Sequence, residues 1–183
     1  MKRTYAIILV ITVSLFLAAC GDNKPRPKLP LGDKMEDIPS YVMQGFKMRN
    51  TDKGGVDWEL EAKGAQVFEM KKKAYAQDFT MHTFEKNGST SVLTGERAVI
   101  NTDTNFLEAT GNVRLKSDNG MLLITDKLFW DDAKKLAYGD AAVTVIKGGT
   151  VLKGVGFESD MYMRDLKIHS RVKLKAKDIG NEQ

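Results

Sequence analysis

The sequence predicts an all-β domain built from two-strand repeats of about 30 residues. Three observations carry this expectation. From Ser40 onward apolar residues recur with period two, and no window there has a convincing 3.6-residue period. The pattern itself repeats: Val113, Val143 and Val172 stand 30 and 29 residues apart. The four prolines, Pro25, Pro27, Pro30 and Pro39, all precede Ser40, which separates a linker from a fold.

Lys2 and Arg3 lead into residues 5–19, apolar except for Thr12 and Ser14, and then comes Leu17-Ala18-Ala19-Cys20. As a helix this run would span about 22 Å, short of a ~30 Å hydrocarbon core. A charged start, a short apolar run and small residues read as a secretory signal. The ending resembles a bacterial lipobox, in which the cysteine becomes the first mature residue and carries lipid. Cys20 is the one cysteine of the chain, so an internal disulfide and a Cys-based zinc site are excluded. The expected organisation is a signal segment over 1–19, lipidated Cys20 with a flexible Pro/Lys linker over 20–39, a β-domain over 40–178 and a tail over 179–183. With 28 Lys+Arg against 24 Asp+Glu the net charge is +4, and loss of Lys2 and Arg3 leaves +2. So small a surplus argues against nucleic acid as a partner. Gly21 and Asp22 follow the cysteine. The expected place is the periplasmic side of the inner membrane, with the outer membrane left open.

Within the domain the cleanest strand sets Leu107, Ala109, Gly111, Val113 and Leu115 on one face and Glu108, Thr110, Asn112, Arg114 and Lys116 on the other. Such alternation marks half-buried antiparallel strands. Residues 91–98 lead to 107–113, 122–128 to 136–143, and 151–157 to 166–172; a weaker copy runs from 58–65 to Phe79 and Met81. Polar turns are expected at 71–73, 101–105, 131–132 and 161–165, and Asn87-Gly88 carries hairpin chemistry between units. Units of this length bury their apolar face by stacking on neighbours. Long strands without proline leave edges able to pair with another chain.

The segment Ile38-Pro39-Ser40-Tyr41-Val42-Met43-Gln44-Gly45-Phe46, followed by Trp58-Glu59-Leu60-Glu61-Ala62, then 107–113 and Leu152-Lys153-Gly154-Val155-Gly156-Phe157, is similar in order and spacing to the LptC family of lipopolysaccharide-transport proteins. The likeness covers about residues 38–175. It implies an open β-jellyroll of two antiparallel sheets. It also implies a component that takes lipopolysaccharide from an inner-membrane ABC transporter (permease) complex and hands it to an LptA-like periplasmic bridge protein by sheet edge-to-edge pairing. One departure concerns anchoring: many members carry a transmembrane helix where this chain has a lipobox.

An open jellyroll can offer an apolar trough to lipid A acyl chains. Val113, Leu115, Trp130, Val143, Val145, Phe157, Ile168 and Val172 are the expected lining; the same residues would also serve a closed core. Lys167, Arg171, Lys173, Lys175 and Lys177 on the last strand are either a solvated face or a basic rim. No catalytic constellation emerges. His82 and His169 lie in separate repeats, Gly154-Val155-Gly156 lacks the third glycine and helix of a dinucleotide site, and no cofactor is expected. An adaptor lipoprotein that binds proteins alone through its sheet edges is the alternative reading.

Overall fold

The computed structural model describes residues 35–175. Cys20, the segment 1–19, the linker through residue 34 and everything after residue 175 lie outside the described residues. A 3₁₀ turn, Met35–Asp37, comes first. Nine strands follow: β1 (Tyr41–Asp52), β2 (Gly55–Phe68), β3 (Lys73–Phe84), β4 (Thr90–Asn101), β5 (Leu107–Ser117), β6 (Leu122–Asp131), β7 (Leu136–Lys147), β8 (Thr150–Ser159) and β9 (Lys167–Lys175). The four repeat units are the hairpins β2–β3, β4–β5, β6–β7 and β8–β9, and β1 is an added strand ahead of them. Asp37, at the end of the expected linker, pairs with Lys71 in the β2–β3 turn. At Asn87-Gly88 the loop is one residue longer than a two-residue hairpin. Gly88 N donates to Glu85 O at 2.9 Å, Glu85 N donates to Ser89 O at 2.9 Å, and Gly88 takes the left-handed position at φ 90.

Each strand is antiparallel to its sequence neighbours, in the order β1 to β9. The two sheets implied by the family likeness are therefore one continuous sheet folded over. The fold-over has a visible cause. From β4 onward every strand pair slips register near its middle, between Thr94 and Arg97, Thr110 and Val113, Thr125 and Phe129, Gly139 and Ala142, and Lys153 and Val155. Left-handed residues mark the same line: Gly45, Asp78, Gly111, Asn112, Gly156 and Arg171. Bulges bend strands and raise their twist, so a row of them is a crease that divides the sheet into two arms. Two aromatic rings lie along it. Phe79 stands opposite Gly95 and Phe157 opposite Gly139. A Cβ on Gly139 would sit 2.7 Å from the Phe157 ring and 2.8 Å from the Lys127 carbonyl oxygen.

Each arm presents an apolar inner face. Directly paired residues share a face, and one row crosses all nine strands of the first arm: Met48, Leu60, Met81, Leu93, Leu115, Leu123, Val145, Leu152 and Leu174. The second arm answers with small side chains near the crease, Ala65, Ala76, Ala98 and Ala109 in one row, and all of these contribute to one buried face. Both arms also bury large side chains, Ile100, Leu107, Leu128 and Trp130 on the second, in one core cluster with the first arm's row. Met161 and Met163, placed by sequence in a polar turn, are also core: both are 1% exposed. The β8–β9 loop folds inward there, with Met163 in a left-handed conformation at φ 55, because the last hairpin has no neighbour beyond it to cover the interior.

Two stability predictions follow from this packing. Gly139→Ala drives a methyl into the Phe157 ring and should lower the unfolding free energy by about 1–3 kcal/mol, read as a fall in the urea midpoint. Leu115→Ala, in the sealed middle of the long row, should cost about 2–5 kcal/mol. In the same urea titration Leu174→Ala, at the exposed end of that row, should stay within ~0.5 kcal/mol of the parent.

Candidate functional site

Six of the eight expected lining residues come together. Val113, Leu115, Val143, Val145, Phe157 and Trp130 all belong to one core cluster and are at most 6% exposed. Ile168, opposite Phe157, is half-buried against the same core. Val172 is different. Leu174 stands opposite Leu152, and Leu152 opposite Val145, so register puts Leu174 and Val172 on the inner face. Yet Val172 is 55% and Leu174 68% exposed. The reason is position: β9 is an edge strand, and no tenth strand among the described residues covers its inner side. The other edge behaves alike. Tyr41 is exposed, and Met43, Phe46 and Met48 are half-buried. The interior is thus sealed from β2 to β8 and surfaces at both ends of the sheet, each end with unpaired edge backbone.

The outer face of β9 is basic. Lys167 Nζ donates to Glu158 Oε1 at 2.9 Å, and this bond holds the Glu158 carboxyl below its ordinary pKa. Lys173 stands opposite Lys153 on β8, a like-charge pair that adds to the positive charge of this face.

Opposite the crease, the tips of the two arms meet. Arg164 of the β8–β9 loop donates to both oxygens of Glu85 in the β3–β4 turn, at 2.8 and 3.1 Å, and its Nε donates to Asp160 at 2.6 Å. Asp160 first, then Glu85, raise the guanidinium pKa above the usual arginine value. Lys135 Nζ reaches Asp132 at 2.8 Å and Asp57 at 3.5 Å. Burial opposes the Lys135 charge, but Asp132 and Asp57 together outweigh it and its pKa rises. Asn119 Nδ2 donates to the Tyr162 carbonyl oxygen at 3.2 Å. Between these bridges lies a cavity of about 770 Å³, with Trp58, Phe84, Trp130, Met161 and Tyr162 in its wall. Burial pushes the Tyr162 hydroxyl pKa up, and a hydrogen bond with Thr83 partly offsets this. Along the tip of the first arm the inner row turns polar: Asn50, Trp58, Thr83, Ser91 and Ser117 stand opposite one another across β1 to β5.

Trp58, Tyr162 and Arg164 were not among the expected site residues. Trp58 and Trp130 are the two tryptophans of the chain, each at a strand end beside a turn, which is the signal the sequence offered. Their approach across the mouth depends on the crease. Elsewhere His82 and His169 are both exposed, on β3 and β9. Among the described residues no group of three or more His, Cys, Asp and Glu could hold a metal ion, and no helix is long and apolar enough to cross a membrane. What the site can do chemically is shelter apolar surface and offer edges.

The family model for LptC-related lipopolysaccharide assembly matches residues 5–176. Among solved structures, the chain is similar to LptH of Pseudomonas aeruginosa, described as the LptA-homologous periplasmic component of the lipopolysaccharide transport device. The TM-score is 0.53 at 14% identity, covering 66% of this chain and 94% of that one. That likeness establishes the shared fold. No curated protein sequence matches the chain. The match over residues 5–176, together with a β-jellyroll of this topology, places the chain in the LptC-related family of lipopolysaccharide-assembly proteins.

Proposed function

We propose that this domain is a non-enzymatic carrier that receives lipid A acyl chains on its apolar inner face. It takes lipopolysaccharide from the inner-membrane ABC transporter and passes it to an LptA-like bridge protein at the β9 edge, while lipid on Cys20 holds the domain at the periplasmic face of the inner membrane. The observation that carries this reading is the inner apolar row, which runs through every strand and ends uncovered on β9 at Leu174. Burying an acyl methylene removes about 0.8 kcal/mol of unfavourable hydration, so a row continued by the next jellyroll keeps a chain covered throughout transfer. An incoming strand at β9 gains backbone hydrogen bonds and apolar burial together. The six sealed lining residues are an observation in favour of the alternative, an adaptor that binds proteins through its edges with its interior serving as core. Passage of a chain in the carrier reading requires the arms to part at the mouth.

Photocrosslinking separates the two. A photoreactive residue at Phe46 or Val172 should yield lipopolysaccharide adducts, and one at outward-facing Lys116 should not; adducts at no inward position would establish the adaptor. Val172→Pro, once circular dichroism shows it folded, should weaken capture of the bridge protein and leave contact with the transporter complex intact, because proline removes an edge donor. The opposite pattern would reverse the polarity. Cys20→Ser should give an uncleaved precursor without lipid label, and normal labelling of that variant would exclude Cys20 as the anchor.

A further inference from the structure

From β4 to β9 the outer face of the first arm carries charge of one sign. Two register rows cross it there, one starting at Thr94 and the other at Val92. Between them they hold the exposed cations Arg114, Lys116, Lys153, Lys173 and Lys175, and no carboxylate. Val92, Leu122, Ile124, Ile146 and Val151 stand half-buried among these charges. None of the five cations pairs with a carboxylate among the described residues. Other outward cations of the sheet are matched: Lys47 lies 2.7 Å from Glu61, Lys127 2.7 Å from Glu108 and Lys167 2.9 Å from Glu158.

The pattern selects the kind of partner. Lys173 faces Lys153 directly across the β8–β9 pair, and like charges so placed cost stability that an anion lying over them restores. The cations spread over five adjacent strands, about 20 Å at ~4.8 Å per strand, so they address a surface and not a single group. Protein interfaces favour aromatic side chains and Arg over Lys. Here Lys outnumbers Arg, and neither row contains an aromatic residue from β4 to β9. Lys lays its methylenes along aliphatic neighbours and lifts its ammonium outward. That arrangement sets cations at the level of lipid phosphates while aliphatic side chains meet the headgroup boundary.

We propose that the outer face of the first arm, from β5 to β9, docks on an anionic phospholipid surface through Arg114, Lys116, Lys153, Lys173 and Lys175. The occupant is bulk phospholipid outside the folded sheet, so this docking stands apart from the carrier reading. Lys116 meets the membrane surface and not the transported lipopolysaccharide. Attraction of this kind weakens as salt screens it.

The full-length protein is reconstituted into phosphatidylcholine vesicles with and without phosphatidylglycerol. A fluorescent amino acid at Thr144, between Ile124 and Lys153 on this face, serves as energy-transfer donor to a headgroup-labelled lipid. Transfer should rise with phosphatidylglycerol and fall back in high salt. The same donor at Tyr138, on the outer face of the second arm, should show no gain. Lys116→Glu combined with Lys153→Glu should lower the ratio of docked to undocked protein by about tenfold or more, since each cation near an anionic surface is worth about fivefold. Lys72→Glu combined with Lys134→Glu makes an equal charge change in the β2–β3 and β6–β7 turns and should leave transfer nearly unchanged. Transfer that ignores phosphatidylglycerol, or that both pairs of substitutions lower equally, overturns the membrane docking. So does a Lys116→Glu, Lys153→Glu protein that keeps full transfer on the anionic vesicles but loses capture of the transporter complex, a result that would assign the face to an acidic protein surface.

Discussion

The crease is the constraint on which the rest depends. A nine-stranded antiparallel sheet that stayed flat would expose one apolar face along its whole length, and the described residues include no helix or second sheet to cover it. Because the register slips in mid-strand in each pair from β4 onward, each strand contributes to both arms and the sheet covers itself. The glycines at the crease are fixed by what lies over them. Gly95 leaves room for the Phe79 ring and Gly139 for Phe157, rings that fill the narrow angle where the arms diverge. Side chains at those two positions would collide with the rings and disturb the packing of the two arms.

Self-covering has a consequence at the ends. A strand in the middle is shielded by neighbours on both sides as well as by the opposite arm; an edge strand lacks one of them. The exposure of Tyr41, Val172 and Leu174 follows from topology rather than from any weakness of local sequence. Met161 and Met163 turn inward from the last loop to close part of the gap. Closure at β9 is still incomplete, and the edge keeps both a hydrogen-bonding ladder and an apolar strip. Those are the two things another sheet of the same kind can use. The basic outer face of β9, with Lys173 across from Lys153, sets a charge condition on which sheet that can be.

Much of this was legible in the sequence, because period two and turn chemistry are local. The four repeat units fall on four hairpins, and the turns expected at 101–105 and 131–132 lie between the strands except for Asn101 and Asp131, which close β4 and β6. Inward and outward faces were legible for Val113, Leu115, Val143, Val145 and Phe157. What escaped was non-local. In the stretch 107–115 the pair Gly111-Asn112 is left-handed and helps fold one sheet into two layers; Gly and Asn take that conformation most readily, but the unbroken alternation around them masked the bend. Strict alternation there reads as one straight strand, since inner residues precede and follow the bend in the same phase. Met161 and Met163 look like turn residues until the interior they cover is known. Trp58 and Trp130 are 72 residues apart in sequence and share a cavity because the twist of the folded sheet carries β2 of one arm to β6 of the other.

The balance of energies at the mouth bears on how a closed interior could also be a carrier. The bridges that hold the arm tips together are exposed or half-exposed ion pairs, weakened by solvent screening. An acyl chain of about ten methylenes moving from water onto an apolar face gains about 8 kcal/mol, a quantity comparable to the whole stability of an ordinary domain, about 5–15 kcal/mol. Parting the arms would expose core surface, but an entering chain covers that surface as it moves in. The tips are therefore the weak side of the domain and the crease the strong side. At the crease the arms are joined through continuous strands; at the tips they meet through loops, surface charges and the buried Trp58, Trp130, Met161 and Met163. In the proposed carrier, a fold divided in this way would open by bending at the crease without unpairing its strands, and both edge ladders would stay in place while the interior took up its load.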